Sequence, residues 1–216
     1  MNIGLIDSGL GAIGLLNELI KQKKYANYYL FIDYKGSPYG TKDDITLKQR
    51  YKIGENFLLL KKCEKIIISC NTLSKVAENE SQKVITPIFY LQKKIDSIDG
   101  TLIATKYTIS NNLYNCKNVL NCSNLVEYIE GRGQINKDFF NSFKGNLFLG
   151  CTHFTLVKNR FSNYCIDSVE ELANNLAFTK SKLKINIYVT KLNKNIYNHI
   201  LYYLHSTNFY IKLINI

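Results

Sequence analysis

Short apolar runs alternate along this chain with longer amphipathic stretches. Residues 2–6 form a strand-like run, a glycine-rich turn follows, and residues 15–21 place apolar positions three and four apart, as one face of a helix does. The same rhythm predicts strands at 28–32, 65–69 and 84–90, with helices at 46–62 and 73–83. After Asp99-Gly100 the pattern restarts. It predicts strands at 101–104, 118–120, 146–149 and 164–166, and helices ending near 114 and spanning 138–143, 155–161 and 169–178. A polar segment runs through Gly133, and a Tyr-rich strand and helix occupy 186–204. Repeated strand-helix alternation builds parallel sheets through crossovers, so the expected class is α/β, with a division near residues 91–100.

Composition agrees with an ordinary globular protein: 216 residues, 46% hydrophobic and 21% charged. The formal charge of +11 raises the question of nucleic acid, but only three of the 28 basic residues are Arg. Bidentate reading of phosphate and guanine depends on the guanidinium fork, so a scattered Lys excess argues against a nucleic-acid partner and leaves acidic small molecules. The opening Met-Asn-Ile-Gly-Leu-Ile-Asp7 lacks the basic start of a signal peptide, and no apolar run approaches bilayer length. A soluble protein outside the secretory route, without membrane contact, is expected. Six cysteines at 63, 70, 116, 122, 151 and 165 include no CxxC pair, so free thiols are expected. No zinc site is expected, because Cys116 and Cys122 have no His at ligand spacing. His199 and His205, six apart, likewise lack carboxylate or Cys partners for a metal.

Two motifs carry chemistry. Gly9-Leu-Gly11-Ala-Ile-Gly14 is a literal GxGxxG between a strand and a helix, and Asp33 stands about where a ribose-binding acid belongs. This supports an NAD-dependent oxidoreductase as an alternative. Against it, Asp7 sets a carboxylate beside the turn where a pyrophosphate needs positive surroundings. The second motif is an internal echo: Ile-Ile-Ile-Ser-Cys70-Asn71-Thr72 and Leu-Phe-Leu-Gly-Cys151-Thr152-His153. Each is a buried strand, a small residue and a Cys with polar neighbours at the carboxyl end, where open α/β sheets bind ligands. By symmetry the two thiols face one cleft. Opposed thiols without a cofactor suit inversion of a carbon bearing an acidic hydrogen, one removing a proton and the other delivering one from the opposite face. Asp7 and His153 are the nearest helpers.

At this point the residues resemble the cofactor-independent glutamate racemases of the aspartate/glutamate racemase superfamily. The matching pieces are Asp7-Ser8-Gly9, Asp33, Pro38-Tyr39-Gly40, Cys70-Asn71-Thr72, Thr105 with Thr108, Glu130-Gly131, Gly150-Cys151-Thr152-His153 and Ile166-Asp167-Ser168, in order and at similar spacing. The resemblance implies two pseudo-symmetric α/β lobes, each a mostly parallel sheet flanked by helices, with the active site in the cleft between them. The first would span 1–95 and be completed by about 188–216; the second would span 96–187 and be shortened. It implies Cys70 and Cys151 as the proton-transfer residues, Asp7 assisting Cys70, and His153 with Glu130 assisting Cys151. Ser8, Tyr39, Gly40, Asn71, Thr72, Thr108 and Thr152, together with Asp7 and His153, would bind the substrate, largely through backbone and hydroxyl groups.

The implied role is supply of D-glutamate for peptidoglycan, hence cell-wall biogenesis and cell shape, in the cytoplasm, with neither cofactor nor metal. A homodimer is compatible with it. Departures are Leu73-Ser74 for Ala-Thr, Phe154-Thr155 for Tyr-Pro, and Gly11-Ala-Ile for Gly-Gly-Leu. Aspartate as substrate, and a glutamate-binding module with weakened catalysis, stay open beside the racemase.

Overall fold

The structure is a computed structural model that describes residues 1–77, 84–177 and 182–216. It is α/β with two wholly parallel sheets. The first carries β1 (Asn2–Asp7), β2 (Asn27–Ile32), β3 (Lys65–Ile68), β4 (Val84–Ile85), β9 (Lys184–Val189) and β10 (Tyr210–Leu213) in the order β10-β9-β2-β1-β3-β4. The second carries β5 (Thr101–Ala104), β6 (Asn118–Asn121), β7 (Leu147–Leu149) and β8 (Cys165–Asp167) in the order β6-β5-β7-β8. In each sheet the chain steps outward on one side of a central strand and then returns to the other side. The switch points therefore fall between β1 and β3 and between β5 and β7, where the carboxyl ends open a crevice.

Helix α1 (Gly11–Lys21) lies between the sheets. Ile13, Leu15, Leu16 and Leu19 are fully buried, in one core with Leu147, Leu149, Phe154 and Leu172 of the second half. Each such side chain contributes about 1.5–3 kcal/mol relative to exposure, so this seam is a substantial part of the fold's stability. Helix α2 (Asp44–Leu60) starts where the Asp43 side chain accepts from the Thr46 amide at 2.7 Å. It turns Leu47, Tyr51 and Leu58 inward, and bare Gly54 admits Phe31 and Ile6.

Several local expectations change. Residues 86–90 leave the strand at Thr86-Pro87, because proline has no N–H for the ladder, and begin α4 (Ile88–Ile95). The helix expected to reach 114 is the short α5 (Lys106–Ser110), stopped where Asn112 takes a left-handed φ of 49°. The polar segment before Gly133 contains α6 (Ser123–Ile129), whose buried Leu125 and Ile129 are four apart among residues that are half-buried or exposed. The segments at 138–143 and 155–161 form 3-10 helices, Phe139–Asn141 and Thr152–Arg160. The first anchors a cluster of Phe139, Phe140, Phe143 and Phe161 rings, with Arg160 stacked on Phe140. Helices expected at 73–83 and 169–178 appear as α3 (Asn71–Ala77) and α7 (Ser168–Asn175). Residues 78–83 and 178 lie outside the described residues. The Tyr-rich end forms β9 and α8 (Lys194–Tyr203), and half-exposed β10 was not expected.

Phe154 is fully buried in the 3-10 segment that packs on α1. Phe154→Ala should lower unfolding free energy by about 3–5 kcal/mol, read from chemical-denaturation midpoints.

Candidate active site

Both cysteines of the internal echo follow strands beside the switch points, Cys70 after β3 and Cys151 after β7. They line one cavity of about 290 Å³ between the sheets, and each is 8% exposed. Ser8, Tyr39, Gly40, Asn71, Thr72, Thr108, Thr152 and His153 line it too. Asp7 and Glu130 do not; they stand behind the wall and reach the cavity through other side chains.

On the first side, Ser8 Oγ lies 4.0 Å from Cys70 Sγ. Asp7, fully buried, accepts from the Gly9 amide at 3.0 Å and from Thr152 Oγ1 at 3.4 Å. Burial raises its carboxyl above the ordinary carboxylate range, against the pull of His153. Burial also pushes the Cys70 thiol up, helped by the Asp7 charge, so Cys70 rests protonated.

The second side is equipped differently. His153 Nδ1 is 3.9 Å from Cys151 Sγ, while Nε2 is 2.7 Å from Glu130 Oε1. Burial opposes charge on the imidazole, but hydrogen bonds to Cys151 and Glu130 outweigh it and hold His153 well above its ordinary pKa. Glu130 is held below its ordinary value: burial works against the carboxylate, and His153 and the Leu10 amide overcome it. That amide donates to Glu130 Oε1 at 2.8 Å. The carboxylate thus sits at the N-terminus of α1, the position anions favour.

This arrangement removes the nucleotide-binding reading. A methyl group on Gly9 would collide with Glu130 Oε1, and one on Gly11 would collide with Thr152 Oγ1 and lie 2.6 Å from Asp7 Oδ2. The space a pyrophosphate would need is filled by the protein's own side chains. Asp33 accepts from Tyr39 Oη at 2.9 Å and Thr190 Oγ1 at 2.8 Å, with Arg50 at 3.5 Å. It has nothing left for a ribose. Tyr39 lines the cavity, and its hydroxyl donates to Asp33.

Residues not singled out from sequence also border the cavity, including Lys106, Tyr107, Ser123, Glu127 and Arg132. Arg132 pairs with Glu127 at 2.9 Å. Ser74 Oγ donates to the Cys70 carbonyl at 3.0 Å, and Thr155 Oγ1 to Asp167 Oδ1 at 3.0 Å, so the departures at 74 and 155 brace the two Cys loops. The other four cysteines are free thiols, three of them buried. His199 and His205 border a separate groove with Tyr128, Arg160 and Tyr203. Among the described residues no three His, Cys, Asp or Glu side chains gather as a metal site, and no helix is long and apolar enough to cross a membrane.

No protein-family model matches the chain. A glutamate racemase of Helicobacter pylori strain J99 is 30% identical over 194 residues, 76% of each chain. The chain belongs to the glutamate racemase family. Another racemase, from Buchnera aphidicola, is 28% identical over 89% of this chain and 88% of its own. The glutamate racemase fold extends over the whole chain: the crystal structure of the Francisella tularensis enzyme in complex with D-glutamate superposes with a TM-score of 0.82 at 23% identity, covering 99% of this chain and 97% of that one. Glutamate racemases are amino-acid racemases, an isomerase class.

The His153–Glu130 pair has a definite pH signature. Its Glu130 contribution to stability is present above the ordinary Glu pKa and is lost as pH falls through the lowered folded value. Its His153 contribution is present below the ordinary His pKa and is lost as pH rises through the raised folded value. Glu130→Gln removes the charge and leaves the burial, so the His153 imidazole titration, followed by NMR, should move to lower pH.

Proposed function

We propose that this chain interconverts L- and D-glutamate by two-base proton transfer, with Cys70 and Cys151 on opposite faces of the bound amino acid. The observation that carries this reading is that two cysteines from separate sheets line the wall of one cavity. Residues 1–95 with about 188–216 act as one lobe and 96–187 as the other, although β9, from Lys184, already joins the first sheet.

In the direction from L-glutamate, Cys151 takes the α-hydrogen with the His153 cation beside it. The C–H bond breaks, its electron pair stays on the α-carbon and into the carboxylate, and an S–H bond forms. Cys70, resting as a thiol, then delivers its proton to the opposite face and becomes the thiolate, stabilised by the Ser8 hydroxyl. From D-glutamate the roles reverse: Cys70 passes its thiol proton to the Asp7 carboxylate and takes the α-hydrogen as the thiolate, while Cys151, given a proton by the His153 cation, delivers it to the opposite face. Ser8, Asn71, Thr72, Thr108 and Thr152, with the backbone at Tyr39 and Gly40, hold the substrate. We assign the product to peptidoglycan supply in the cytoplasm, a compartment in which free thiols persist.

Purified metal-free and pyridoxal-free protein, given L-glutamate in deuterium oxide, should yield D-glutamate with deuterium at the α-carbon, by NMR and chiral chromatography. Folded protein that leaves both enantiomers of glutamate unchanged refutes catalysis; exchange on aspartate alone moves the substrate to aspartate. Cys70→Ser and Cys151→Ser should each lower racemisation by at least about 10²- to 10⁴-fold, the range that positioned acid–base groups supply. With a β-leaving-group analogue, which needs one deprotonation only, Cys70→Ser should keep elimination from the L-enantiomer and Cys151→Ser from the D-enantiomer.

A further inference from the structure

Tyr107 of α5 follows β5 of the second sheet, yet its ring is buried in an apolar cluster built by the first half of the molecule. That cluster holds Phe31, Tyr39, Leu47, Ile68, Cys70 and Leu73, and among its buried described residues Tyr107 alone comes from the second half. The residue also lines the cavity. Its hydroxyl reaches α2 and donates to Asp44 Oδ1 at 3.1 Å. Lys75 of α3 donates to the same carboxylate at 2.8 and 3.1 Å and to Asn111 Oδ1 at 2.9 Å, with its ammonium 5.8 Å from the Tyr107 ring centre. Two residues of the first half, Asp44 and Lys75, thus hold two of the second, Tyr107 and Asn111.

This join differs in kind from the seam at α1. The seam buries many apolar side chains, and parting it would expose them all to water. At Tyr107 one ring is buried, while the Asp44 and Lys75 side chains are 50% and 31% exposed, a setting in which ion pairs are weak and screened by salt. The seam is fit to be the hinge, and the Tyr107 contact is fit to release. We infer that Tyr107 is a latch that closes α5 onto the Cys70 side of the cavity, and that its release from Asp44 and Lys75 admits solutes to the two thiols. Thr105, which caps α5, and Thr108 within it both line the cavity, so the closed latch also sets these hydroxyls against the Cys70-Asn71-Thr72 wall. Tyr107 is thereby a positioning residue as well as a barrier.

Cys70 and Cys151 are each 8% exposed with the latch closed, so a thiol reagent reads its opening directly. The full chain is labelled with N-ethylmaleimide in the absence of any ligand and followed cysteine by cysteine by peptide mass spectrometry. Tyr107→Phe keeps the ring and removes the bond to Asp44; Asp44→Asn removes the charge at a half-exposed position and serves if the first variant does not fold. Each should speed labelling of both Cys70 and Cys151 about three- to tenfold, the weight of one hydrogen bond in half-exposed surroundings. Added salt should speed labelling of the wild type more than that of Asp44→Asn. Cys165, buried in β8 away from the cavity lining, should keep its wild-type rate. Labelling of Cys165 that rises in step is a general loosening, and a rise at Cys70 alone is a local change in that thiol; either overturns the latch, as does no change in both variants. No turnover is measured, so a chain that labels as expected without racemising glutamate keeps the latch and loses the racemase reading. One that racemises glutamate but labels alike in all variants keeps the reading and loses the latch.

Discussion

The carboxylate of Glu130 occupies the N-terminus of α1, accepting from the Leu10 amide while its same oxygen meets His153 Nε2. That contact joins the halves of the molecule and reaches the chemistry in one step, since the other nitrogen of His153 faces Cys151. It requires the first turn to be bare. With any side chain at Gly9 the carboxylate is displaced, and with one at Gly11 Thr152 is displaced from Asp7. The glycines serve approach of one half to the other, and the helix dipole stabilises a charge that the sequence supplies more than a hundred residues later.

This explains which parts were legible in the sequence. Strand ends that carry chemistry announce themselves locally: an apolar run, a small residue, then Cys with polar neighbours marked both thiol loops, and Asp7 closed the first strand. Glycine spacing was legible but ambiguous, because a turn that admits a phosphate and a turn that admits a neighbouring carboxylate demand the same absent Cβ. Only tertiary contact separates them. Glu130 entered through family likeness, since its partners Leu10 and His153 lie far away in sequence. Asn71 Nδ2 donates to the Gly150 carbonyl and the Tyr114 hydroxyl, and those bonds had no local signature in the sequence. Secondary structure failed where tertiary packing governs: Pro87 ended a strand whose apolar run continued, and α6 hid because only two of its seven residues are buried.

The two thiols occupy similar places in similar sheets, yet their surroundings are not mirror images. Cys70 has a serine hydroxyl and a buried carboxyl whose ionisation is resisted; Cys151 has an imidazole held cationic by a carboxylate. A racemic pair of substrates is symmetric in energy, but the protein that holds them is not. In the proposed two-base mechanism the two half-reactions therefore begin from different proton distributions, and equal rates in both directions need compensation elsewhere in each path.

The place of β9 also bears on how the molecule is made. It pairs with β2 along residues 27–32 and 184–189, and β10 pairs beyond it. During synthesis the first sheet is left with an open, strongly apolar edge while the whole second sheet is produced, and such edges invite pairing with other chains. The order of emergence thus places the last-made strands as the seal on the first-made sheet. A ribosome stalled short of residue 184 would hold a chain with both cysteine loops present and β2 unprotected, the form most exposed to aggregation.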